Sequence, residues 1–204
     1  MKRFECLKSL FSRMRDDVIV VGNVGDTTTL MLTLRPSDAN VYSVNLGSCA
    51  AVGLGVALAL PHRRVVVLDG DGNLLLNMAV LADIANQAPK NLSILVQDNE
   101  LYQSGGNVPS ATAGLADLAG IAREAGIKNS RTVKDIGDFE ASVGDVLEGP
   151  GPLLVVAKIE REAERPHSPV AYNPTENKFR FVRYIEKSEG IRILPLTQGS
   201  KIVF

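Results

Sequence analysis

The sequence has little cysteine, no strong charge of either sign and no long apolar run, and each shortage removes a class of protein. Only two cysteines, Cys6 and Cys49, occur in 204 residues. They lie far apart, in unlike surroundings and without metal-ligand spacing, which excludes a disulfide framework. The formal net charge is −1, with lysine and arginine spread along the chain. That balance fits neither a nucleic-acid surface nor a polybasic membrane anchor. No stretch is apolar and long enough to span a bilayer. The first residues carry basic side chains, but Phe4, Leu7, Leu10, Phe11 and Met14 recur at helical spacing. This predicts an amphipathic helix over residues 1–15 rather than a signal peptide. A cytoplasmic protein is the expectation. Internal repeats and low-complexity tracts are absent too.

What is present is globular: 45% hydrophobic and 22% charged residues, enough for one domain with a sizeable core. β-branched runs at 18–22, 41–44, 64–68, 92–96 and 153–158 read as strands, with a weak one at 132–133. Helices are expected between them at 27–34, 50–60, 73–87, 114–125 and 138–147. This alternation predicts an α/β fold, a parallel sheet with helices on both faces in three layers. Such sheets bind ligands at the carboxyl ends of their strands. From residue 161 the rhythm stops. A short helix at 177–185 and a hairpin, 191–194 against 201–204, form an expected extension over 161–204. It would pack on the 1–160 domain or on a partner.

The sharpest motif is Asp69-Gly70-Asp71-Gly72-Asn73, between a buried strand and a helix start. Glycines let a ligand approach the backbone closely, and the free amides of a helix start attract anions. A carboxylate beside a phosphate site is the usual seat of Mg2+. No Gly-Lys-Ser/Thr follows, so this is not a Walker loop. No Gly-x-Gly-x-x-Gly follows the first strand, which discounts a Rossmann dinucleotide site. The fourth strand ends in Gln97-Asp98-Asn99-Glu100-Leu101-Tyr102. In a parallel sheet its end lies near Asp71. Alone, Gly-Asp-Gly is a weak signal that reads better as an ordinary turn between strand and helix, and Asp98 reads best as a structural cap.

Gly70-Asp71-Gly72, followed 28 residues after Asp71 by Asn99, resembles the binding motif of thiamine-diphosphate (ThDP) enzymes. Asn45-Leu46-Gly47-Ser48-Cys49-Ala50 is similar to their aminopyrimidine cradle, and Gly25-Asp26-Thr27 to their diphosphate-contacting loop. The run Asp98 to Gly106 and the segment Glu176 to Phe181 resemble sulfopyruvate decarboxylase β subunits and phosphonopyruvate decarboxylases. The resemblance implies that Mg2+ is held by the Asp71 and Asn99 side chains and the Leu101 carbonyl. It implies that Asn73 bonds the diphosphate, that the Gly47 carbonyl accepts from the 4′-amino group and that Cys49 stands where relatives place a bulky prop. Ser48 and Tyr102 join the cofactor-binding set, and Ser104, Gly105 and Gly106 a substrate loop. Two departures stand out: Ser104-Gly105-Gly106-Asn107 replaces the usual Ser-Thr-Gly-Gly-Gln, and Cys49 is smaller than the usual prop.

In this family an activating glutamate comes from a separate pyrimidine-binding domain, and no residue of this chain is assigned that catalytic role. The resemblance therefore implies a companion subunit in an α2β2 or larger assembly. It also implies cleavage of a small 2-oxoacid to carbon dioxide and an aldehyde, with the thiazolium as electron sink. Carboligation by an acetolactate-synthase-like subunit is the runner-up, and a non-catalytic interaction subunit that keeps the fold is the alternative outside enzymes.

Overall fold

A computed structural model describes residues 1–162, 166–168, 170 and 172–194. Six parallel strands form its centre: β1 Ile19–Asn23, β2 Asn40–Val44, β3 Val65–Gly70, β4 Leu92–Asp98, β7 Asn129–Val133 and β8 Leu153–Lys158. Their order is β2-β1-β3-β4-β8-β7. Between β4 and β7 lies a small antiparallel hairpin, β5 Leu101–Tyr102 with β6 Val108–Pro109.

Side chains alternate across a strand, so each buried strand feeds two cores. Ile19, Val65, Val67, Ile94 and Val156 face one cluster. It is completed by α3 (Cys49–Ala59), α5 (Val80–Gln87), α6 (Leu118–Ala125) and Ile185 of α8 (Pro174–Glu189). Val20, Val66, Leu95 and Val155 face the other, closed by α1 (Arg3–Ser12), α2 (Asp26–Leu34) and α7 (Ile136–Glu148). Each fully buried aliphatic side chain contributes roughly 1.5–3 kcal/mol. Both faces being covered explains why these strands read as continuous apolar runs. Among the described residues no helix is long and apolar enough to cross a membrane.

Several boundaries move from the sequence expectation. The helix expected over 73–87 is two helices, α4 (Asp71–Leu75) and α5, separated by a turn. In that turn the Asn77 amide donates to the Gly47 carbonyl (3.0 Å), a tertiary bond that ends the helix locally. α6 starts at Leu118, because Ser110 and Thr112 are drawn into a buried polar network upstream. In α1 Phe4 is exposed and Cys6 takes a core place. α8 is far longer than 177–185. Asn173 caps its first turn by accepting from Thr175 and Glu176 N–H groups, and Pro174 opens it, a start signal present in the sequence. Residues 191–194 form no strand, and the rest of the expected hairpin lies outside the described residues.

α8 also seals the sheet edge. The Asn177 side chain accepts from Tyr42 N–H (3.0 Å) and donates to the Asn40 carbonyl (2.9 Å). One amide thus occupies the donor and acceptor that edge strand β2 would otherwise offer to another chain.

Candidate functional site

A cleft of about 410 Å³ opens at the carboxyl ends of β1, β3 and β4. Three connections create it. The loop after β1 brings Gly25, Asp26 and Thr27. The β3–α4 junction brings Gly70, Asp71, Gly72 and Asn73. The segment after β4 brings Asn99, Leu101, Tyr102, Ser104 and Gly105. Four expected residues stay outside its lining: Gly47, Ser48, Cys49 and Gly106.

The β3–α4 junction is tightly held. Asp69 accepts from the Gly70 N–H (2.9 Å) and from the Asn73 side-chain amide. Burial pushes the Asp69 carboxyl up to about 7, although both bonds oppose this. Asn73 Oδ1 in turn accepts from Gly47 N–H (2.7 Å). Asn73 therefore ties the 45–48 loop to the motif, and this use of both ends of its amide was not legible in sequence. A Cβ at Gly72 would lie 2.6 Å from the Tyr102 ring, so only glycine lets that ring close over the motif. Gly47, at φ +76°, takes a backbone conformation that L side chains rarely adopt.

Asp71 is 2% exposed. Its Oδ2 accepts from Ser110 Oγ (2.5 Å) and Thr112 Oγ1 (3.2 Å). Burial raises its pKa, against those two hydroxyls. Thr112 also bonds Asp98 Oδ1 (2.7 Å), and Lys158 pairs with Asp98 Oδ2 (2.8 Å). Asp98 is thus spent on structure. Glu100 sits at φ +62°. Asp98 accepts its N–H (3.0 Å), while Asn99 Oδ1 accepts from Leu101 N–H (3.1 Å). This turn presents Asn99 and Leu101 to the cleft beside Asp71. The oxygens these three residues carry, a carboxylate, an amide and a backbone carbonyl, are of the kind that suits a hard cation such as Mg2+. Among the described residues no group of three or more His, Cys, Asp or Glu forms a metal cluster.

Cys49, expected at the prop position, lies outside the cleft's lining. Cys49 is 0% exposed. Its Sγ points at the Val21 (3.5 Å) and Leu68 (3.7 Å) carbonyls, beneath the cleft. Burial pushes its thiol well above the usual range, so it packs as a small apolar side chain. Instead, Leu46 and Leu76 line the cleft and are 54% and 56% exposed.

Three side-chain atoms among the described residues are buried without a hydrogen-bond partner: Arg3 Nε, Asn23 Oδ1 and Gln97 Oε1. All three residues line this one cleft. Buried polar groups are almost always satisfied, so their gathering here marks a place for a polar ligand. Sequence reading missed all three, as it missed Ser110, Thr112 and Lys158. For Arg3 a signal existed: it shares the 3-7-10-14 stripe of α1 with apolar residues.

An all-parallel three-layer sheet with this motif at its carboxyl edge defines the class of ThDP-binding α/β folds. The sequence matches the family model of the thiamine pyrophosphate enzyme C-terminal TPP-binding domain over residues 21–157, and the chain belongs to that family. It is 31% identical to the sulfopyruvate decarboxylase β subunit of Methanococcus maripaludis, over 92% of this chain and 99% of that one. Identity to the corresponding subunit of Methanocaldococcus jannaschii is 28%, over 92% of this chain and 98% of that one. A phosphonopyruvate decarboxylase from Streptomyces viridochromogenes is 35% identical over 75% of this chain, which spans 38% of that longer protein. In fold, the chain is similar to a protein described as a thiamin diphosphate-dependent enzyme from Mycobacterium smegmatis. That likeness has a TM-score of 0.68 at 22% identity and covers 79% of this chain and 32% of the other.

Proposed function

We propose that this chain is the diphosphate-binding subunit of a heteromeric, ThDP-dependent 2-oxoacid decarboxylase acting on 3-sulfo- or 3-phosphonopyruvate. The observation that supports it is the cleft itself, whose lining includes Asp71, Asn99 and Leu101 together with three residues that each hold a buried polar atom without a partner. The substrate class follows from the relatives' names. When bound, the cofactor supplies the electron sink for loss of carbon dioxide. The chain's own part is to hold and orient. Asp71, Asn99 and the Leu101 carbonyl would take Mg2+, and the loop Gly25-Asp26-Thr27 and Asn73 would meet the diphosphate. Gly47, on the loop that Asn73 secures, would accept from the aminopyrimidine, with Ser48 beside it. The hairpin carrying Tyr102, Ser104, Gly105 and Gly106 would border the substrate.

No glutamate lines the cleft among the described residues. A companion pyrimidine-binding subunit would supply the activating glutamate and cover Leu46 and Leu76, in an α2β2 or larger cytoplasmic assembly. Calorimetry of Mg-ThDP with the chain plus companion should show binding, and carbon dioxide release from sulfopyruvate should need both. Turnover by the purified chain alone would sink the two-subunit reading. Turnover that requires an aldehyde acceptor would mark a carboligase instead.

A further inference from the structure

We propose that Arg3, on the N-terminal helix α1, is a cofactor-binding residue whose guanidinium takes the terminal phosphate of the diphosphate. The inference deepens the reading above and rests on it. Arg3 is 7% exposed, unusual for a residue that normally keeps its charge in water. It reaches across to the loop after β1, where its Nη1 donates to Asp26 Oδ2 (2.8 Å). Its Nη2 donates to Gln103 Oε1 (3.3 Å), and the same oxygen accepts from the Asn99 amide (3.2 Å). Arg3 thus bridges the start of α2 and the segment that presents the oxygen donors. Its Nε has no partner.

The charges around the cleft make the same point. Asp26 and Asp71 both line it, and Arg3 is the one cation that does so among the described residues. Glu162 also feels the Arg3 charge. In the reading above Mg2+ answers Asp71, so Asp26 is the carboxylate that repels a diphosphate unless a fixed cation answers it. The first N–H groups of α2 attract anions, but Asp26 opposes that attraction at the same helix start. Arg3 cancels Asp26 and retains a buried, forked donor set that matches a phosphoryl group. Arg3 lines the cleft with Asp26 and Gln103 as its hydrogen-bond partners, and its Nε is buried without one.

The test titrates the full chain with inorganic pyrophosphate and Mg2+ by calorimetry, a probe that touches only this subunit's part of the site. Arg3→Gln should weaken binding at least about tenfold, and Arg3→Lys should fall between. If Arg3→Gln melts well below wild type, Arg3→Lys and Asp26→Asn carry the test. Asp26→Asn should bind pyrophosphate several-fold more tightly, because it frees the guanidinium and removes a repelling charge. If the ion pair merely anchors α1, Asp26→Asn weakens binding as Arg3→Gln does, and the assignment fails. It fails equally if Arg3→Gln keeps wild-type affinity, or loses only affinity for a phosphonate substrate analogue. A wild-type chain with no affinity for Mg-pyrophosphate overturns this assignment, and no Mg-ThDP binding by the chain together with its companion overturns the reading beneath it.

Discussion

The two ends of the sheet carry similar buried cations and treat them in opposite ways. At the amino end, Arg63 donates to the Asp17 carbonyl (2.7 and 3.0 Å), Glu189 Oε1 (2.5 Å), Ser188 Oγ (3.2 Å) and the Tyr184 hydroxyl (2.7 Å). Arg64 is spent on the Val146 and Gly149 carbonyls and Ser93, and burial pulls it down to about 10. The Asn91 amide serves the carbonyls of Ala57, Leu60 and Arg63. At the carboxyl end, Arg3, Asn23 and Gln97 each leave a buried atom unanswered. An unanswered buried polar atom costs about 1–3 kcal/mol. A fold that closes one end completely has no general difficulty in doing so. The deficit at the other end is therefore a local property, reserved for a ligand.

That contrast predicts which changes move binding and which move stability. The largest effect is expected at Asp71. Asp71→Ala removes the one charged donor from the proposed cation site and should weaken Mg-ThDP binding about a thousand-fold, ~4 kcal/mol. Far-ultraviolet circular dichroism should stay native. Wild-type affinity in this variant would end the reading of the carboxyl end as a cation-dependent site.

Arg63→Ala probes the other end. It leaves Glu189, 12% exposed at its side chain, without its guanidinium partner and removes the hydrogen bonds to Tyr184 and Ser188 of α8. The expected loss is about 3 kcal/mol of unfolding free energy, read from urea melts, with cofactor affinity unchanged. A variant that melts normally but binds poorly would erase the distinction between the two ends.

The layers of the fold were legible because burial on both faces writes itself into strands as uninterrupted apolar runs, and helices as 3.6-residue stripes. The motif residues were legible because Gly70-Asp71-Gly72 and Asn99 stand at a family spacing, each at the end of a buried strand. What stayed hidden was everything set by tertiary pairing. Asn77 ends α4 through a bond to Gly47, 30 residues away. Thr112 stands between Asp71 and Asp98 only after the chain has folded back. Cys49 belongs to a cradle-like sequence, yet its thiol turns onto the carbonyls of Val21 and Leu68 in the central strands β1 and β3, which spacing alone does not determine. Arg3 was visible as a charge on an apolar stripe, but its target was not.

A third effect separates the ends by pH. Asp69 is fully buried at the carboxyl end, and burial raises its carboxyl to about 7. Its protonated form is favoured by folding. That contribution to stability is complete below about pH 4, near the ordinary aspartate value, and is lost as the pH rises through about 7. Asp69→Asn keeps the side-chain oxygen that accepts from Gly70 and cannot ionise. The variant should gain on wild type as pH rises from 4 to 8, by on the order of 4 kcal/mol. Melting temperature against pH for both proteins checks this, and parallel curves would refute it.

The smallest effect concerns how firmly the open end is braced. Thr112 Oγ1 lies between the Asp71 and Asp98 carboxylates, and Lys158 holds Asp98 from the far side. Hydrogen bonds behind a metal ligand fix its orientation, and losing one usually costs about tenfold or more in affinity. Thr112→Val keeps the shape and removes the hydroxyl. Mg2+-dependent ThDP affinity should fall about tenfold, while Thr112→Ser should restore it. Lys158→Met should weaken it less, because that brace acts one bond further from Asp71. If Thr112→Val binds as wild type does, the Ser110 contact alone orients Asp71, and the network behind it serves only to anchor the 110–117 segment.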